Sequence, residues 1–134
     1  MGCPVSFSKI VKYLLDSNTL IYASQPDARF AVCRQWIERE QVAISAVSRV
    51  EVLGFHNLTQ TDAEFLATVL RFVPQLPVTD AVLDRAVLIR KQFRLKTPDA
   101  IITATALEHD LALITADQGF QRVAGLIVID PFVS

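Results

Sequence analysis

The sequence predicts an α/β fold built on a mostly parallel, five-stranded sheet. Two observations predict it. Five short apolar runs are continuous and do not alternate, which is how strands buried on both faces read. Helix-period segments fill most of the gaps between them. At 134 residues, 51% hydrophobic, with mean hydropathy +0.36, the chain is sized for one domain (residues 1–134, structured core about 12–132). It carries enough apolar material for a substantial core.

The elements follow in order. Residues 1–11 read as a lead-in. The first strand is Tyr13-Leu14-Leu15, closed by Asp16, and the second is Val42-Ala43-Ile44, ending at Ser45. A third candidate at residues 72–78 contains Pro74 and Pro77, and so belongs at a sheet edge. The fourth, Leu111-Ala112-Leu113-Ile114, leads into Thr115 and Asp117, and the fifth, Leu126-Ile127-Val128-Ile129, leads into Asp130 and Pro131. A helix over residues 30–39 places Phe30, Cys33, Trp36 and Ile37 on one side. Thr61-Asp62-Ala63-Glu64 has capping-box form and opens a helix carrying Phe65, Leu66, Val69 and Leu70. Thr79 precedes Val82, Leu83, Ala86, Ile89 and Phe93 at helical spacing. Thr97-Pro98-Asp99 reads as N-cap, proline at N1 and an acid in the first turn of a helix running to about His109.

Composition narrows the function classes. The net charge is -1, so the chain lacks the basic balance of a general nucleic-acid binder, and any contact with nucleic acid must be local. No apolar run reaches the roughly 18 residues of a membrane span, and no basic start with an apolar core suggests a leader. A cytoplasmic protein without membrane association is expected. Cys3 and Cys33 make neither a disulfide framework nor a zinc site, and Cys33 reads as a small core residue. Residues 1–6 match a loose myristoylation pattern, which is taken as accidental.

Four acids fall where ligands bind in open α/β sheets, outside the carboxyl ends of the strands, or on the helix that directly follows. Asp16 ends strand one, Glu51 follows strand two by about two helical turns, Asp99 opens the helix before strand four, and Asp117 follows strand four. Each also has a structural reading. Asp16 or Ser17 can cap a helix beginning near Asn18, Ser48 and Glu51 have capping-box spacing, Asp99 suits a helix dipole, and Asp117-Gln118-Gly119 can be a turn. Gathered together, four carboxylates repel and call for protons or a cation. An oxygen-rich set suits Mg²⁺ or Mn²⁺, and isolated His56 and His109 offer no zinc array.

At these residues the chain resembles the PIN-domain ribonucleases, in particular the VapC-type toxins of bacterial toxin–antitoxin pairs. The matching pieces are Leu15-Asp16-Ser17-Asn18-Thr19-Leu20-Ile21, then Ile44-Ser45 through Glu51-Val52. Pro98-Asp99-Ala100-Ile101-Ile102-Thr103-Ala104-Thr105-Ala106-Leu107 and Leu113-Ile114-Thr115-Ala116-Asp117-Gln118-Gly119-Phe120 complete them. The resemblance spans residues 12 to about 132, and its most specific part is residues 98–120. It implies a three-layer fold, a homodimer, and Mg²⁺ or Mn²⁺ held by Asp16, Asp99, Glu51 and Asp117, the last two reaching the metal directly or through water. Thr115 falls at a small polar position near the metal, and Ser17 and Asn18 stand beside the first acid. It further implies endonucleolytic cutting of RNA and a small antitoxin partner.

The expected chemistry is metal-assisted phosphodiester hydrolysis. Arg85, Arg90, Lys91, Arg94 and Lys96 lie just before Asp99, as an RNA-contacting rim or as a solvated helix face. The competing readings are a housekeeping PIN nuclease of RNA processing and a catalytically silent metal- or RNA-binding module. An Asp-x-Asp-x-Thr phosphatase is disfavoured, because Asn18 stands at its second aspartate and Thr19 is out of register. A receiver-like module would want a lysine near the end of its sheet, and the last lysine, Lys96, precedes strand four.

Overall fold

The computed structural model describes residues 10–133, so the myristoylation-like pattern and Cys3 lie outside the described residues. In chain order the elements are β1 (Tyr13–Leu15), α1 (Ser17–Ser24), α2 (Ala31–Ile37), β2 (Val42–Ser45), α3 (Val47–Leu53), α4 (Gln60–Phe72), β3 (Gln75–Leu76), α5 (Asp80–Phe93), α6 (Thr97–Glu108), β4 (Ala112–Ile114) and β5 (Val128–Ile129). Short 3-10 turns at Ala28–Phe30 and Gln118–Arg122 complete the chain. The sheet order is β3-β2-β1-β4-β5. Every pairing is parallel, so the sheet is wholly and not merely mostly parallel.

The continuous apolar runs are explained by layering. Leu14 lies beside Ala43 and Leu113 in register, and these three pack with Val82, Ala86 and Ile89 of α5 and Ala100 and Ala104 of α6. The next residues along each strand, Leu15, Ile44 and Ile114, point the other way, into Leu20, Ile21, Trp36, Val52, Leu66 and Val69. Successive side chains alternate between faces, and both faces are covered, so both must be apolar. The result is the expected three-layer sandwich, with α5 and α6 on one side and α1 to α4 on the other.

β3 sits at the edge, as its prolines require. Pro74, which has no N–H, uses only its carbonyl, which accepts from the Ile44 N–H at 2.9 Å. Two helix starts differ from the sequence expectation. α4 is capped by Thr59, whose Oγ1 accepts from the Asp62 N–H at 3.1 Å, so Thr61 is already helical. Leu58, packed against the core, fixes the chain entry two residues earlier than the Thr61 pattern suggested. α6 takes Lys96 as its N-cap residue and Pro98 at its second position. Thr97 is therefore no cap: its Oγ1 accepts from Arg90 Nη1 at 2.8 Å. Thr79 caps α5 as expected, accepting from the Val82 N–H at 3.2 Å.

Candidate active site

Strand order decides where the acids meet. From β1 the chain moves outward through β2 to β3, then crosses back to place β4 on the other side of β1. The reversal leaves a crevice beyond the carboxyl ends of β1 and β4, where ligands of such sheets bind. Asp16 and Thr115 are the first residues past those two strands, and the Asp16 N–H donates to the Ile114 carbonyl at 3.2 Å.

Asp16 is both a cap and a buried acid. Its Oδ1 accepts from the Thr19 N–H at 2.8 Å and from Thr19 Oγ1 at 2.6 Å, closing the start of α1. Its Oδ2 accepts from Thr115 Oγ1. At 3% exposure burial pushes its carboxyl up from the ordinary value. The Thr115 and Thr19 hydrogen bonds pull it back, and the charge of Asp117 adds to the rise. Thr115, also buried, accepts from the Asp117 N–H at 3.0 Å. Asp117 is exposed, and its Oδ1 caps the following 3-10 turn by accepting from the Gly119 N–H at 2.8 Å. Its structural reading and its placement beside Asp16 hold together.

Glu51 and Ser48 do not form a capping box. The N-cap of α3 is Ala46, with no side-chain cap, and in the turn before it Ser45 Oγ accepts from the Val47 N–H at 3.2 Å. Ser48 lies inside the helix, fully buried. Ser48 and Glu51, three residues apart, share one face of α3 and meet Ser17 at the first position of α1. Ser17 Oγ is 2.9 Å from Ser48 Oγ and 2.6 Å from Glu51 Oε1.

Asp99 lies in the first turn of α6, where the helix dipole favours the charged carboxylate. Its acidity nonetheless falls, with a pKa pushed up to about 6. Burial is the largest cause, followed by the charges of Glu51, Asp117 and Asp16, partly offset by Lys96. Asp99 thus feels the charges of the other three predicted acids, each from a different element. Thr19 and Ser48 were not singled out in the sequence. Thr19 was visible as an Asp-x-x-Thr capping spacing, whereas Ser48 was hidden by its resemblance to a cap.

The basic residues divide. Arg85 pairs with Glu108 at 2.5 Å, and Arg90 donates to the Leu95 carbonyl at 3.2 Å and to Thr97, so both tie α5 to α6. Lys91, Arg94 and Lys96 are exposed, and of these Lys96 is felt by Asp99. Asn18 is exposed on the first turn of α1.

The donor set is all oxygen. His109 stands at the far end of α6 from Asp99. Among the described residues, no group of three or more His, Cys, Asp or Glu side chains stands close enough to hold a metal ion. An ion bound here would take at most one or two of these carboxylates directly and keep several waters, as Mg²⁺ can. The part of the Asp99 shift that comes from the neighbouring carboxylates, second to burial, is what such a cation relieves.

A three-layer parallel α/β protein with acidic residues beyond the switch in its strand order is the class that these features define. The PIN domain model matches residues 13–126, and the chain belongs to the PIN-domain family. Among solved structures, it is similar to a toxin–antitoxin complex from Klebsiella pneumoniae (29% identity, TM-score 0.75, covering 90% of this chain and 98% of that one). It is also similar to FitAcB from Neisseria gonorrhoeae (25% identity, TM-score 0.73, 90% and 98%). DNA-bound VapBC from Salmonella typhimurium shares the fold (20% identity, TM-score 0.73, 91% and 99%). No curated protein matches the sequence significantly.

Proposed function

We propose that this chain is a divalent-metal-dependent endoribonuclease hydrolysing RNA phosphodiesters, and that it is the toxin of a toxin–antitoxin pair. The observation that carries the reading is that half-buried Asp99, with its pKa pushed up to about 6 chiefly by burial, also feels the charges of Glu51, Asp117 and Asp16. The Klebsiella and Neisseria similarities support the toxin role and a cognate antitoxin as partner. Homodimerisation and action in the cytoplasm follow from the same family reading. Among the described residues, no helix is long and apolar enough to cross a membrane.

Asp16 and Asp99 would hold the metal, with Glu51 and Asp117 reaching it through water. When bound, Mg²⁺ or Mn²⁺ supplies charge neutralisation, orientation of the phosphate and acidification of a water. The protein's own part is positioning. Thr19 holds Asp16 Oδ1 with two hydrogen bonds and Thr115 holds Oδ2 with one, which fixes the carboxylate and leaves Oδ2 a free lone pair. Ser17 fixes one oxygen of Glu51. Lys96, with Lys91 and Arg94, offers exposed positive charge on the approach to an acidic pocket, where RNA needs it.

The test is cleavage of a panel of structured and unstructured RNAs by protein freed of any antitoxin. Mn²⁺ or Mg²⁺ is compared with EDTA, and Asp99→Asn is run alongside. Metal-dependent cutting that disappears in the folded variant is expected. Equal turnover by Asp99→Asn, or cutting undiminished in EDTA, refutes the assignment.

A further inference from the structure

Behind Glu51 the structure holds a short chain of hydroxyls with only one workable direction. A carboxylate can only accept, whereas each serine hydroxyl has a single proton to give. Ser17 Oγ touches both Glu51 Oε1 at 2.6 Å and Ser48 Oγ at 2.9 Å. If the Ser17 proton goes to Glu51, the approach of Ser48 forms a hydrogen bond only with Ser48 as its donor. Ser48 is fully buried and Ser17 is 6% exposed, so bulk water cannot readily take the place of either. The two serines come from different helices, α1 and α3. Their bond therefore links the helix that starts at Asp16 to the helix that carries Glu51.

We infer that Ser48 is a positioning residue, which directs the Ser17 proton onto Glu51 Oε1 and so holds the Glu51 carboxylate in one orientation. This inference rests on the nuclease reading for its consequence in turnover, but not for its geometry. Without the Ser48 hydroxyl, Ser17 has no donor and is free to turn its proton elsewhere. Glu51 then samples several rotamers, and the pocket must be ordered anew at each turnover.

The experiment compares Ser48→Ala, Ser48→Thr, Ser17→Ala and the Ser17→Ala/Ser48→Ala double variant. The measurements are kcat and KM for RNA cleavage, Mn²⁺ affinity by electron paramagnetic resonance, melting temperature, and crystal structures of wild type and Ser48→Ala. Ser48→Ala should lower kcat about tenfold with KM little changed, as expected for loss of a hydrogen bond supporting a charged group. It should also weaken Mn²⁺ binding several-fold, and Ser48→Thr, which keeps the hydroxyl, should restore both. Because Ser48 acts through Ser17, the double variant should be no worse than Ser17→Ala alone. A purely structural serine would instead lower the melting temperature and leave kcat and Mn²⁺ affinity per folded molecule unchanged. Additive losses, or a Glu51 side chain in one unchanged orientation in the Ser48→Ala crystal, overturn the inference. A Glu51 that loosens in that crystal, in a protein whose wild type cuts no RNA, upholds the positioning role and refutes the nuclease reading.

Discussion

Replacing Asp99 by Asn should make the metal-free protein more stable while removing its proposed activity. The carboxyl is raised from 3.8 to about 6, so the folded state holds its proton more tightly than the unfolded state does. Below about pH 4 the group is protonated in both states and costs nothing. As pH rises from there through 6, the unfolded chain releases the proton first, and stability is lost. Above 6 the whole penalty is in force. At 1.36 kcal/mol per unit the rise corresponds to an upper bound of ~3 kcal/mol. Asp99 is only partly buried, so water screening reduces this to about 1–2 kcal/mol. Asn keeps the shape without the charge and should gain that amount in urea unfolding at pH 7.5, with the gain shrinking toward zero at pH 4. Added Mn²⁺ should reverse the order, because a ligand at about a hundred times its Kd adds roughly 2.7 kcal/mol to the protein that binds it. A variant no more stable than wild type at pH 7.5 in EDTA, or a gain independent of pH, would refute the account of a strained acid cluster.

Thr115→Val removes the donor to Asp16 Oδ2 and the acceptor of the Asp117 N–H together. It should cost about 1–3 kcal/mol in urea unfolding and reduce cleavage, and a change under about 0.5 kcal/mol would show that the bridge is idle. Metal affinity, followed by calorimetry, should fall as pH drops below about 6, because the cation then competes with a proton on Asp99; a flat profile from pH 5 to 8 argues against metal at Asp99. Charge reversal at Arg94 and Lys96 should weaken RNA binding and flatten its salt dependence, by about 0.7 in slope for each phosphate no longer neutralised. Arg85→Glu, which breaks the pair with Glu108, should act mainly on stability.

Much of the fold was legible because its signals are local. Leu14 and Leu15 are both apolar because β1 is covered on both faces, and that shows as a run. Pro74 and Pro77 marked the edge strand, since a residue without an N–H is tolerated there. Thr79 announced α5 through a hydrogen bond that spans only three residues. Helix starts were less legible where two residues compete for the cap. Thr59 prevailed over Thr61 because Leu58 is drawn into the core. Thr97 was drawn away by Arg90, a partner seven residues back on another helix.

The sequence by itself determined which residues could be strands, which could be helices, and that an acid stands at or near the end of several of them. Which of these acids come near one another depends on how the whole chain folds. Asp16 and Thr115 are 99 residues apart in the chain, and their hydrogen bond depends on β4 pairing with β1 and not extending the sheet beyond β3. Ser48 shows the same limit at shorter range. Its spacing to Glu51 suits a cap or a buried brace equally well, and the choice was made by Ser17 arriving from α1. Periodicity and capping report on neighbours within a turn or two of one element. Strand order and helix docking are set by how whole faces bury against each other, and the chemistry of the pocket lies where those faces meet.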